Sequence, residues 1–198
     1  ALQRQGFYYQ KMLELTRAAV EDGKDRYFVG ITDLHAGLDG LVSMRGPERL
    51  CMDTIENAQW VRQASLALFD GFRQVVDELY ALTTAYQQGS VNWMGAWHPG
   101  KWYPTSCDFC CMISKDMFED FVLPELLQEL DYLDASIFHL DGPGALRHLD
   151  RLLQIPRLRG VQWVYGAGQP TAAHWVETLQ KIQRAGKCVH VGAVPEDL

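Results

Sequence analysis

Three short apolar runs decide the fold: Ser136-Ile137-Phe138-His139-Leu140, Val161-Gln162-Trp163-Val164-Tyr165 and Cys188-Val189-His190-Val191. Each is rich in β-branched or aromatic residues and too short to be a buried helix, so each is read as a strand. Between them, Ala145 to Leu153 and Ala172 to Ala185 mix charged and apolar residues at helical spacing. Strand and helix alternating with a repeat of roughly 25 residues imply parallel strands covered by helices.

Towards the N-terminus the same grammar continues with less regularity. Phe7 to about Val20 is amphipathic and stops at Gly23, a glycine terminator for a helix. Tyr27-Phe28-Val29-Gly30-Ile31-Thr32 is expected to be a short strand running into polar Asp33. From Glu56 to about Gln88, Val61, Leu66, Leu68, Phe69, Phe72, Val75, Val76 and Leu79 recur at helical spacing, giving one long helix or two. Val91 to Met94 reads as a second strand and Cys107 to Met112 as a third. Ser114 is placed as an N-cap, with Asp116, Glu119 and Asp120 favourable to the helix dipole. Pro124 should kink or divide the helix that follows. The count is about six strands, whereas a closed barrel of eight strands typically takes ~250 residues. The expected fold class is therefore α/β, a TIM-like (β/α)8 barrel incomplete in this chain. Residues 1–198 would form one domain lacking part of the barrel at one or both ends. A smaller doubly wound sheet is the alternative. Pro195-Glu196-Asp197-Leu198 reads as the start of a further helix.

Composition narrows the partners. The chain has 198 residues, 47% hydrophobic and 22% charged, as in ordinary globular domains. A net charge of -7 argues against nucleic-acid or anionic-membrane partners, which need a basic face. No stretch approaches the roughly 20 apolar residues that span a bilayer, and Ala1 to Tyr9 is not expected to be a signal peptide. The 5 cysteines are odd in number and match no small disulfide scaffold, which favours a reducing, cytoplasmic setting. Cys107 and Cys110 form a CxxC with no second pair, read as small buried residues rather than a zinc or redox site. Neither GxGxxG nor GxxxxGK[ST] occurs, so nucleotide phosphates have no cradle.

The sharpest chemical signal is His139-Leu140-Asp141-Gly142-Pro143-Gly144. Residues two apart on a strand share a face, so His139 and Asp141 should emerge together at the strand's carboxyl end. Active sites in parallel barrels sit at that end. An imidazole and a carboxylate so placed can share a divalent metal or act as an acid–base pair. Asp108, before the Ser114 helix, is a third candidate for the same mouth. Asp33, His35, Trp93, Trp163, Tyr165 and His190 are candidate substrate-lining residues, the aromatics suiting a flat or methyl-bearing compound. Asp33 and His35, with Asp39 beyond them, can equally be loop-capping polar residues; His98 falls in a loop, and His148 and His174 on outer helices as surface or packing residues.

Cys107-Asp108-Phe109 followed by Ile113-Ser114-Lys115-Asp116-Met117-Phe118-Glu119-Asp120-Phe121-Val122-Leu123-Pro124 resembles a segment of the uroporphyrinogen decarboxylase superfamily. Phe138 to Asp150, with Ile155-Pro156 and Gly160 to Gly168, is similar to its corrinoid-dependent methyltransferase branch, the group labelled trimethylamine corrinoid protein 2. Gly30-Ile31-Thr32-Asp33 through Leu38-Asp39 and Arg45-Gly46 fits the same group. The resemblance implies a TIM-like barrel and methyl transfer between a small methylated compound, a corrinoid carried by a partner protein, and an acceptor. It also implies zinc: methyltransferases of this kind hold it with His-x-Cys on one strand and a later Cys. Here His139 matches the histidine and Asp141 stands in place of the cysteine, so His139 and Asp141 are the metal candidates. Asp108 matches the superfamily's aspartate. Two other readings accompany it. One is a metal-free decarboxylase using Asp108 and His139 for protons; the other is a non-catalytic module for a small ligand or corrinoid protein. An open barrel seam would favour a homodimer.

Overall fold

The computed structural model describes residues 2–192 and 194, so the helix start expected at residues 195–198 lies outside the described residues. Four helices fill the first part of the chain: α1 (Phe7–Gly23), α2 (Gly37–Arg45), α3 (Pro47–Glu56) and α4 (Ala58–Thr84). α1 ends at Gly23, as its pattern predicts. α4 resolves the long periodic stretch as a single helix whose Val61, Phe72, Val75, Val76 and Leu79 face the core. α2 and α3 were not expected. Gly46, at φ +83°, turns the chain between them, and Pro47 starts α3 where its missing N–H costs nothing. The buried Asp53 carboxylate fixes this corner by accepting from Arg45 Nε at 2.6 Å and Asn57 Nδ2 at 2.9 Å.

The strand expected over Tyr27–Thr32 shrinks to one bridge, Ile31 to Asn92. The cause lies in Val29, whose backbone N–H and C=O are both taken by the Gln87 side chain instead of a strand neighbour. The second expected strand is also redrawn: β1 (Ser90–Val91) pairs antiparallel with β2 (Trp97–His98). The third expected strand gives way to β3 (Thr105–Ser106) followed by a 3-10 helix, Asp108–Met112. Asp39 explains that change. Its carboxylate accepts from the backbone N–H of Asp108 at 2.8 Å and of Phe109 at 3.0 Å, capping the first N–H groups of a helical turn, which have no partner within the turn itself.

From here the pattern matches closely. Ser114 caps α5 (Lys115–Phe121), its Oγ accepting from Met117 N at 3.2 Å, and Pro124 lies at the start of α6 (Leu123–Tyr132). β4 (Ile137–Asp141) leads into α7 (Gly142–Ala145), a short 3-10 turn and α8 (Leu149–Leu153). β5 (Gly160–Val164) leads through a second 3-10 turn to α9 (Val176–Arg184) and β6 (Cys188–Val191).

β3, β4, β5 and β6 form a four-stranded parallel sheet in chain order, so the fold is α/β. One face carries Phe138, Leu140, Val161 and Trp163, all at 0% exposure in the main core with α5, α6, α8 and α9. Burying each such side chain contributes roughly 1.5–3 kcal/mol. The opposite face is polar. Ser106, His139, Gln162 and His190 stand in one register across the four strands. A second core unites α1 and α4 around Ile31 and Tyr103, whose hydroxyl donates to Thr32 O at 2.7 Å and accepts from Leu34 N at 2.6 Å. α6 also buries two carboxyls, Glu125 and Glu129, both 5% exposed. Burial pushes Glu125 up to about 7 and Glu129 well above the usual carboxyl range, their mutual repulsion adding to the latter.

Candidate metal centre

β4 supplies two members of the site. Its period of two sends Phe138 and Leu140 into the core and leaves Ile137, His139 and Asp141 on the polar face. The strand stops at Gly142, whose φ of +75° is readily available only to glycine, so the chain turns into α7 directly behind Asp141. The third member comes from the neighbouring strand end. Asp108 opens the 3-10 helix that follows β3, and the Asp39 cap holds that helix in place.

These elements bring Asp108, His139 and Asp141 together: one ligand atom from each lies within 4.8 Å of the other two. His139 Nε2 is 3.7 Å from Asp108 Oδ1. In a tetrahedral site, donors at ~2.0–2.2 Å from the ion stand about 3.3–3.6 Å apart, so closure on a cation asks the side chains to draw together by up to about 1 Å. Partial burial above all, with the Asp39 and Asp141 charges, pushes the Asp108 carboxyl up; His139 and His35 pull it down. The donor set fits a divalent cation: zinc accepts imidazole and carboxylate oxygen, and three protein ligands leave a position open for a reactant. The nearby Cys111 thiol does not replace the missing cysteine. Burial and the Cys110, Asp108 and Asp141 groups push it towards the protonated form, and it is outside the converging trio.

Around the trio, His35 Nδ1 meets Ser106 Oγ at 2.9 Å and its Nε2 lies 3.2 Å from Asp33 Oδ2, so both stand at the rim beyond the end of β3. Trp93, 39% exposed, sets its ring edge-to-face with His139 at 5.3 Å between centroids and 81°. His190 occupies the polar row two strands from His139, with a buried Nδ1 that has no hydrogen-bond partner among the described residues. Trp163 is a correction. It lies on the core face at 0% exposure against Trp175, ring centroids 5.0 Å apart, and cannot line the mouth. Tyr165 packs against the same core. Of the two readings of His148, packing is the one observed: it is buried, stacked on Phe118 at 4.5 Å, with Nε2 2.9 Å from Cys110 O. Cys107 and Cys110 are the small buried residues expected. Beside the mouth, His35, Asp39, Val42, Pro47, Asp108, Phe109 and Met112 line an open depression of about 470 Å³.

Two further residues shape the centre. Asp39, expected as a loop-capping or pocket-lining residue, is the cap described above and also lines the depression. Gln162 is the hydrogen-bond partner of His139 Nδ1, one strand over. Its mark was a polar residue inside an otherwise apolar strand. No helix among the described residues is long and apolar enough to cross a membrane. Compared with protein-family models, curated proteins and solved structures, the chain matches none.

Proposed function

We propose that this chain is the core of a metal-assisted methyltransferase built on a (β/α)8 barrel of the uroporphyrinogen decarboxylase type. The observation that carries the reading is the convergence of Asp108, His139 and Asp141 at the carboxyl ends of adjacent parallel strands. The barrel assignment draws support from parallel strands neighbouring in chain order, helices packed on the apolar face of the sheet, and the extra parallel bridge of Ile31 to Asn92. In this reading the polar row would look into the barrel.

A divalent cation, zinc by the resemblance, would be held by Asp108, His139 and Asp141 and would supply Lewis-acid activation of the methyl acceptor. Trp93 gives an apolar wall beside His139 suited to a methyl-bearing compound, and His35 and Asp33 present polar atoms at the rim. The methyl donor or acceptor would be a corrinoid held by a partner protein.

The full chain supplied with zinc, methylcobalamin and a small thiol tests this. The expected result is methyl transfer that His139→Ala abolishes together with zinc binding. Equal zinc content and unchanged transfer in that variant would contradict it. The raised Asp108 carboxyl favours one second reading, a metal-free decarboxylase in which Asp108 and His139 handle protons. Turnover of a carboxylated substrate that survives exhaustive chelation would select it.

A further inference from the structure

We propose that Gln162 is a positioning residue that sets the tautomer of His139 and thereby turns its Nε2 into a ligand; the value of this to the protein rests on the metal reading above. His139 and Gln162 are direct register partners on the polar face of β4 and β5. Gln162 is only 9% exposed, and its carboxamide Oε1 faces His139 Nδ1. A carboxamide oxygen can only accept, so in the neutral ring Nδ1 carries the proton and donates it. The lone pair is then on Nε2, the atom 3.7 Å from Asp108 Oδ1 within the trio. A metal-binding histidine commonly has its second ring nitrogen engaged in this way, which fixes both tautomer and ring angle.

The rest of the surroundings agree. The Trp93 ring edge-on to His139 restricts rotation of the imidazole, so the hydrogen bond to Gln162 and the packing on Trp93 select one orientation. Ser106 occupies the register position on the other side of His139, but its hydroxyl is engaged by His35 and Asp39. Gln162 is therefore the acceptor available to Nδ1 along the row. The choice of an amide also has a reason. A carboxylate there would accept equally well but would add a third negative charge beside Asp108 and Asp141.

The test is long-range ¹H–¹⁵N NMR of the histidine rings in the metal-free full chain, at a pH above the imidazole range, followed by calorimetric zinc titration. The parent chain should carry the His139 proton on Nδ1. Gln162→Met, of similar length but without the acceptor, should release the tautomer and weaken zinc binding about 10–100-fold. Gln162→Glu keeps an acceptor and should preserve the Nδ1–H form, which guards against a trivial folding defect in the first variant. A parent His139 protonated on Nε2, or a folded Gln162→Met chain with unchanged tautomer and zinc affinity, overturns the inference. If the tautomer responds as expected but zinc does not bind even the parent chain, the metal reading fails while the Gln162–His139 assignment stands.

Discussion

Asp39 and Asp108 are separated in sequence by the rest of α2, all of α3 and α4, and a hairpin, yet one carboxylate positions the other. Because Asp39 accepts two backbone N–H groups at the start of the 3-10 helix, Asp39→Ala should cost about 0.5–2 kcal/mol, the usual loss of an N-cap, in chemical denaturation. It should also loosen Asp108 and weaken cation binding more than its stability effect alone explains. The two tryptophans assigned to the mouth separate at this scale. Trp163→Ala should destabilise by roughly 3–5 kcal/mol as a core cavity, whereas Trp93, 39% exposed, should give a much smaller loss when replaced by alanine. The sequence could not tell them apart, because β5 is buried on both faces over most of its length, and alternation marks a face only where one side meets solvent. His139 and Asp141 were legible for the opposite reason: on β4, buried and half-buried residues alternate cleanly.

Elements whose ends carry a side-chain or backbone signature were readable. Gly23 closes α1, Ser114 caps α5, Pro124 opens α6, and each expected strand from Ser136 onwards falls within a residue or two of its observed bounds. Elements decided by distant partners were not. The 3-10 helix at Asp108–Met112 depends on a carboxylate from α2, and Tyr27–Val29 is kept out of a strand by Gln87. α2 itself opens with two glycines in its first four residues, a poor helical signal that only packing rescues. The turn behind Asp141 gives a clear test of element geometry. Gly142→Ala places a Cβ at φ +75°, with no neighbouring atom in the way, so the expected loss is the backbone cost alone, about 1–2 kcal/mol by thermal or chemical melting. A neutral substitution would mean that this turn relaxes without consequence for the strand end.

Across the whole molecule, the buried Glu125–Glu129 pair makes stability depend on pH in an unusual direction. Both carboxyls are raised in the folded chain, so between the ordinary value of 4.5 and about 7 the folded state binds more protons than the unfolded one. Stability should therefore be fullest below the lower limit and fall as pH rises through that window. Melting temperatures across this range should show the decline, and Glu129→Gln should flatten it. The larger architecture rests on the parallel sheet with helices on one face and a row of polar side chains on the other. Into that polar face, at the strand ends, project the three groups on which the functional account depends. Zinc titration of the metal-free chain by calorimetry, beside Asp108→Asn, His139→Ala and Asp141→Asn, tests that dependence most directly. The account expects one zinc per chain, with binding severely weakened by each substitution while the fold is retained. Zinc that fails to bind the parent chain, or binds all three folded variants as tightly as the parent, would contradict it.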